Sequence, residues 1–381
     1  MSSSLAQRLP PKSFPLEGFQ VIDPSTKLEE ETLPFYREEF FYPIRIGDLV
    51  HDQYQIVAKL GYGASSTTCL SLNLFTRRHV VLKVHVNCIS HHRELDVLQH
   101  LEAIKSEHPG RRQIRMLDDH FMIQGPHGNH AVFVLPPLGV SVKLLQDLQP
   151  GGIYDEETTV SAIQQTLIAL DFLHCEAGVI HTGRCSWMLE APQLCDFGHA
   201  RICVDDEPQR GLVMPSQYRA PEVLLDMPWD YSVDMWSIGL LAWDLLQAES
   251  LFRIYDENPE RSEAMQLAHM VSILGPPPLE FLQKSAKSLK YWDEAGEWRG
   301  VVPLPQPVQL ESLVTSLHGK SKAEFLSFMQ AMLRWEPEMR LSAGLAWFDL
   351  LAPAAARPTA SIWPYSLTRH MFPSGASVET C

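Results

Sequence analysis

Short apolar runs with the composition of β-strands open the patterned part of the chain. They cover residues 54–60, 67–74 and 79–86, and they are separated first by a turn with two glycines and then by a polar turn at 76–78. Runs of this length that are rich in Val, Thr, Leu and aromatic residues and bounded by turn residues are typical of strands. The sequence therefore predicts three antiparallel strands near the start of the chain.

Apolar residues at helical spacing dominate the chain further on. Leu95, Leu98 and Leu101 recur at this spacing within residues 93–104, and a strand-like run at 130–138 follows them. Beyond that run the same periodicity, interrupted by Pro-rich connections, predicts a series of longer helices. They are expected at residues 160–174, 233–247, 262–274 and 322–333.

These elements predict a fold of the α+β class, in which a small β-rich lobe precedes a large α-helical lobe. The expected divisions are an extended N-terminal arm at 1–46, the small lobe at 47–138, the large lobe at 139–351 and an irregular tail at 352–381. The arm is rich in proline and charge and has no sustained periodicity, which favours an extended or partly disordered segment.

Composition restricts the classes of partner. A formal net charge of −15 disfavours broad binding to nucleic acids or anionic membranes and favours basic protein partners, although acidity can also serve solubility alone. Seven scattered cysteines without paired short spacings are typical of reduced thiols in an intracellular protein of the cytoplasm or nucleus. Eighteen apolar residues never run together, which predicts no membrane span.

The turn between the first two predicted strands is a candidate phosphate-binding loop. It reads Gly61-Tyr62-Gly63-Ala64-Ser65-Ser66, and its small residues let backbone N–H groups approach a phosphate. Such a glycine pair is often only a turn. A strand rather than a helix follows it, which favours a hairpin that covers phosphates over a dinucleotide site.

Lys83 is a candidate phosphate ligand, because it lies in an otherwise apolar strand. An unpaired ammonium would be costly to bury there, so a partner is expected. Glu94, on the next predicted helix, is the nearest downstream carboxylate in a helical context. A Lys83–Glu94 ion pair would direct the ammonium toward ATP phosphates, whereas an edge-strand lysine that reaches water is the alternative without the glycine turn.

Asp196 is the candidate magnesium ligand. It stands in Leu194-Cys195-Asp196-Phe197-Gly198, where its hard carboxylate oxygens suit Mg²⁺. Further motifs follow in the order found in the large lobe of protein kinases. They are Tyr218-Arg219-Ala220-Pro221-Glu222, Asp234-Met235-Trp236-Ser237 and Arg340.

Together these motifs, spread over residues 54–350, resemble those of eukaryotic protein kinases, and within that family the SR-protein kinases and their fungal relatives. The closer resemblance rests on three short segments. They are Tyr42-Pro43 with Ile46-Gly47-Asp48, the glycine turn that ends in Ser66, and His181-Thr182. The resemblance implies a bilobal kinase fold, ATP and Mg²⁺ as cofactors, and Ser/Thr phosphorylation of basic, Arg/Ser-rich proteins.

The resemblance also assigns roles to residues. Leu135 would be the gatekeeper. Two residues would have scaffold roles: Glu222 would pair with Arg340, and Asp234 would brace the catalytic loop. Asp196 would hold the metal. The nucleotide would be held by Leu60, Gly61, Tyr62, Gly63, Ala64, Ser65, Ser66, Thr67, Thr68, Lys83, Glu94, Pro136 and Leu138.

The catalytic loop departs from the family pattern. Gly183 stands where the family has the catalytic aspartate, Cys185 where it has a lysine and Met188 where it has the asparagine that binds a second metal. Two expectations follow: a kinase relative that binds ATP but transfers phosphate poorly, or a pseudokinase that serves as a binding module. A different reaction of ATP on the same fold is a third option that no residue favours.

Gly183 and Asp196 are only 13 positions apart, which is shorter than the corresponding stretch of most kinases. We interpret the abrupt change after Thr182 as a deletion, and one hypothesis for it is an altered exon junction. This hypothesis predicts that complementary DNA reads across codons 175–200 encode an aspartate directly after Thr182. Reads that encode Gly183 through Leu189 as in this chain would exclude it.

Overall fold

A computed structural model describes most of the chain. The described residues are 8–15, 17–18, 20–23, 25–139, 141–183, 193–203, 207–252, 256 and 258–351. They form two compact units, one of Met1–Glu102 with Arg115–Gly139 and one of Ala103–Ile114 with Val140–Cys381. Across these ranges, every helix is too short or too polar to cross a membrane.

The small unit is built on an antiparallel sheet of six strands. Along the sheet the strands follow the order β1, β2, β3, β4, β6, β5. One helix, α1 (Arg93–Ala103), follows β4. The strands are β1 (Leu49–Val50), β2 (Tyr54–Tyr62), β3 (Ser66–Asn73), β4 (His79–His85), β5 (Asp119–Gly125) and β6 (Gly128–Leu135).

Alternation along the strands gives this sheet a buried face. Ile56, Cys69, Leu82, Val84 and Val132 pack into one apolar cluster. Burial of a side chain of this size contributes roughly 1.5–3 kcal/mol each. Burial also raises the pKa of the Cys69 thiol to about 11, so that this cysteine stays protonated at neutral pH.

The described part of the N-terminal arm packs against this sheet. The side chain of Gln55 exchanges hydrogen bonds with the backbone N–H and C=O of Lys12, at 2.8 and 2.7 Å. Further along, Glu29 and Glu30 both pair with Lys59 on β2, which also lies 5.6 Å from the ring centre of Tyr62. The arm is therefore fixed to the strand that leads into the glycine turn.

The large unit is mainly helical. Its central helix, α5 (Ser232–Leu246), is buried along nearly its whole length. A two-stranded ribbon pairs β7 (Val179–Ile180) with β8 (Arg201–Ile202). The other helices are α2 (Val142–Asp147), α3 (Glu156–Phe172), α4 (Pro221–Leu224), α6 (Pro259–Leu274), α7 (Leu279–Leu282), α8 (Leu310–Leu313), α9 (Gly319–Met332) and α10 (Ala343–Leu351).

A buried ion pair joins two segments of the large unit that are 118 positions apart in the chain. Arg340 donates to both carboxylate oxygens of Glu222, at 2.6 and 2.7 Å, and both side chains are fully buried. Arg340 also donates to the carbonyl of Ser232 and lies over the ring of Trp236. Removing one partner of such a pair typically costs about 3–5 kcal/mol, because the other charge stays buried. The pairing expected from the kinase resemblance is confirmed.

Most of the predicted elements are confirmed, with shifted ends. The structure adds elements for which no strand or helix was predicted, namely β1, β5, β7, β8, α2, α4, α7, α8 and α10. The β5 strand was missed because its residues are mostly exposed or half-exposed, so its sequence lacks a clear apolar alternation. The short helix α2 begins with an N-cap, in which the Ser141 hydroxyl accepts from the N–H of Leu144.

His85 makes the stability of the small unit dependent on pH. Burial, followed by the positive charge of Lys83 and by His92, lowers its pKa from 6.5 to about 3. Between about pH 6.5 and pH 3, His85 therefore binds a proton in the unfolded chain but stays neutral in the folded chain. The contribution of neutral His85 to the unfolding free energy is complete above about pH 6.5 and is lost progressively as the pH falls toward 3.

As the pH falls from 7 to 5, we expect protonation of His85 in the unfolded chain to lower the unfolding free energy by about 2 kcal/mol. His85→Phe should remove that part of the pH dependence, as measured by urea unfolding at both values. His127→Gln, which changes an exposed histidine, should keep it. An unchanged pH dependence in His85→Phe would contradict this assignment.

Candidate functional site

The glycine turn joins β2 to β3 as a hairpin in the small unit. Gly61 lies opposite Thr68, and Tyr62 lies opposite Thr67. An added Cβ at Gly61 or Gly63 would meet no described atom within 4 Å. Internal packing therefore does not require glycine at these positions, and their backbone has room for a ligand.

Lys83 lies on β4, directly opposite Thr68 of the hairpin. Its ammonium is 2.6 Å from a carboxylate oxygen of Glu94 on α1, and the two side chains are 18% and 9% exposed. The predicted ion pair is thus confirmed. Because the sheet places the hairpin next to β4, Lys83 and the glycine turn are neighbours in one rigid sheet.

The segment after β6 holds the predicted base-binding residues. Leu135 ends the strand and is buried, while Pro136 and Leu138 are half-buried. The Pro136 carbonyl oxygen accepts from Nε and Nη2 of Arg115, at 3.1 and 2.6 Å. The sequence reasoning did not include Arg115, since a contact between residues 21 positions apart leaves no periodic signal.

In the large unit, Asp234 fixes the backbone at the start of the catalytic loop. Its two carboxylate oxygens accept from the N–H groups of His181 and Thr182, each at 2.8 Å. His174 Nε2 lies 3.0 Å from one of the same oxygens. This is the bracing role that the kinase resemblance implies for Asp234, and Thr182 is held there in a left-handed conformation, with φ +52°.

Asp196 follows a short segment that is tied to the same loop. His181 Nε2 donates to the Cys195 carbonyl at 3.0 Å, and its ring lies edge-on to Phe197. Asp196 itself is exposed and has φ +67°, a conformation that non-glycine residues seldom adopt. Such local strain is frequent at functional positions, where the surrounding structure holds it in place.

Gly183, at the expected position of the catalytic aspartate, has no room for a side chain. An added Cβ would lie 2.8 Å from Cε1 of His181, and the His181 ring is fully buried. The N–H of Gly183 instead approaches His181 Nδ1 at 3.3 Å. Cys185 and Met188, the two other departures from the family pattern, lie outside the described residues.

Each unit, taken by itself, has residues that suit one part of a magnesium nucleotide. In the small unit, an open glycine hairpin stands beside an oriented ammonium, which suits phosphate oxygens. In the large unit, an exposed carboxylate with hard oxygen donors suits Mg²⁺. The nucleotide contacts assigned to Leu60–Thr68, Pro136 and Leu138, and the metal contact assigned to Asp196, stay predictions.

Comparison with known proteins decides the family. A family model described as the protein kinase domain matches residues 54–347. The chain belongs to the protein kinase family. The kinase fold predicted from the sequence is thereby confirmed, with its β-sheet small lobe and its helical large lobe.

Relatives of this kinase include Ser/Thr kinases of several organisms. A serine/threonine protein kinase of Aspergillus fumigatus is 37% identical, and the alignment covers 88% of this chain and 93% of that protein. The serine/threonine-protein kinase SRPK of Physarum polycephalum is 27% identical, with coverage of 83% and 89%. Human dual specificity tyrosine-phosphorylation-regulated kinase 4 is 25% identical, with coverage of 81% and 59%.

An aspartate at position 183 alone should not restore phosphoryl transfer. We expect Gly183→Asp and Gly183→Ala to lower the unfolding free energy by a similar amount, about 1–3 kcal/mol, because both add a Cβ against His181. Gly183→Asp should also leave autophosphorylation no faster than in the parent chain. Urea unfolding and incorporation of labelled phosphate measure the two effects.

Gly139→Ala is the control, because an added Cβ at Gly139 would meet no described atom within 4 Å. This variant should unfold at the same urea concentration as the parent or slightly above it. If Gly183→Asp proved as stable as the parent and phosphorylated itself, residue 183 would have to adopt a different backbone conformation from the one described here.

Proposed function

We propose that this kinase binds MgATP and transfers its γ-phosphoryl group little or not at all. The observation that carries the proposal is a contrast between two parts of the chain. Lys83 and Glu94 form the ion pair that orients a phosphate-binding ammonium. Gly183, in contrast, offers no group to accept the proton of a substrate hydroxyl.

The residues that would hold the nucleotide are those of the hairpin Leu60–Thr68, together with Lys83, Pro136 and Leu138. Asp196 would hold Mg²⁺, with its exposed carboxylate as the ligand. Bound MgATP supplies the transferable phosphoryl group. The protein contributes orientation through the Lys83 ammonium and through backbone N–H groups of the hairpin.

His181 cannot replace the missing base. Its ring is fully buried, Nε2 donates to the Cys195 carbonyl, and Nδ1 faces the N–H of Gly183. Both nitrogens thus have partners within the protein. A positioned general base typically contributes about 10²–10⁴-fold to rate, so its loss accounts for a large reduction in phosphoryl transfer.

The substrate class that we propose is basic protein, Arg/Ser-rich as in the SR-protein kinases that the chain resembles. The similarity to the Physarum kinase named SRPK supports it. The net charge of −15 also supports it, because an acidic protein attracts basic partners at long range. The same charge favours the second candidate function, a pseudokinase that binds basic proteins without phosphorylating them.

MgATP should stabilise the protein without turnover. A ligand that binds only the folded state adds about 2.7 kcal/mol of unfolding free energy at 100 times its dissociation constant. We expect a MgATP-dependent rise in the unfolding temperature and a nearly complete loss of that rise in Lys83→Met. Autophosphorylation and phosphorylation of an Arg/Ser-repeat peptide should both stay at background.

Lys284→Met is the matched control, because it removes a lysine from an exposed ion pair with Glu338. This variant should keep the full MgATP response. A parent protein that shows no response to MgATP would refute nucleotide binding. Phosphate incorporation at an ordinary kinase rate that disappears in Lys83→Met would refute the proposed impairment.

A further inference from the structure

The guanidinium of Arg115 covers the first carbonyl of the segment that follows β6. Nε and Nη2 of Arg115 donate to the Pro136 carbonyl oxygen at 3.1 and 2.6 Å, and both residues are half-buried. Hydrogen bonds from a charged donor are stronger than those between neutral groups. A carbonyl oxygen has two lone pairs, so the two bonds from Arg115 use its accepting capacity.

The remaining polar groups of this segment are few. Pro136 and Pro137 have no backbone N–H, so they can only accept hydrogen bonds. With the Pro136 carbonyl engaged, the backbone groups left to meet a base are the Pro137 carbonyl and the N–H and carbonyl of Leu138. An exocyclic amino group needs an acceptor, and the kinase resemblance implies that the first carbonyl after the gatekeeper Leu135 serves as that acceptor. In this chain it is the Pro136 carbonyl, which Arg115 occupies.

The segment that carries Arg115 is tied to β6. Arg115 stands three residues before Asp118, whose N–H donates to the Val134 carbonyl of that strand at 2.9 Å. Burial raises the pKa of the Asp118 carboxyl, and the positive charges of Arg115 and Arg78 oppose that rise. The positive charge of Arg115 is thus favoured both by the Asp118 carboxylate and by the Pro136 carbonyl.

We propose that Arg115 determines the base specificity of this kinase, by occupying the Pro136 carbonyl and so removing the contact that distinguishes purines with a 6-amino group. The inference rests on the proposed nucleotide binding and adds a specificity residue to it. It follows that the amino group of ATP adds little to affinity in the parent protein. Removing Arg115 releases the carbonyl and creates a preference for the amino group.

The test compares two nucleotides that differ only at the 6 position, ATP and purine riboside triphosphate, which has hydrogen there. Dissociation constants with Mg²⁺ are measured by calorimetry for the full chain and its variants. We expect the parent to bind both within about 3-fold. Arg115→Met should favour ATP by about 2- to 12-fold more than the parent does, the range of one net hydrogen bond.

The ratio of the two constants is the readout, because loss of a positive charge would weaken both triphosphates alike. Arg78→Met is the matched control, since it also removes an arginine charge that acts on Asp118. It should leave the ratio as in the parent. Arg115→Lys keeps the charge with a single donor group and should give an intermediate ratio, which provides a second variant if Arg115→Met unfolds.

The outcomes separate this inference from the proposed function. If the parent binds ATP and Arg115→Met leaves the ratio unchanged, the specificity role of Arg115 is overturned while nucleotide binding stands. If the parent binds neither nucleotide and Arg115→Met binds ATP, the proposed function is wrong and the competition at Pro136 is upheld. If no protein binds either nucleotide, both proposals fall.

Discussion

The buried carboxylate of Asp234 is the interaction on which the large unit's functional segment depends. Burial alone would raise its pKa, but the hydrogen bond and charge of His174, together with the contacts from His181, lower it below the usual range. The group therefore stays ionised inside the protein. An ionised carboxylate accepts strongly from the N–H groups of His181 and Thr182, which fixes the chain where the catalytic loop begins.

The same anchoring extends to the segment that carries Asp196. Thr182 donates its hydroxyl proton to the His199 carbonyl at 2.7 Å, and His181 donates to the Cys195 carbonyl. The residues on either side of Asp196 are thus positioned by backbone contacts that need no catalytic side chain.

The sequence predicted those features that depend on a local pattern of residues or on the cost of burying one charged group. Short apolar runs bounded by turn residues predicted β2 to β4, and a lysine in an apolar strand predicted the Lys83–Glu94 pair, because a buried ammonium needs a partner. Two features were out of reach. The Arg115–Pro136 contact depends on where two distant segments meet, and the crowding at Gly183 depends on the position of the His181 ring. Neither quantity is encoded in spacing along the chain.

The residues before position 54, the N-terminal arm among them, give the small unit a boundary that differs from the family boundary. The kinase match begins at residue 54, yet the N–H of Ile56 donates to the Asp48 carbonyl and the N–H of Gly47 donates to the Ile56 carbonyl. A protein trimmed to residues 54–347 would leave those groups of β2 without partners and Lys59 without Glu29 and Glu30. An open strand edge of this kind invites pairing with another chain, so trimming would create a route to aggregation.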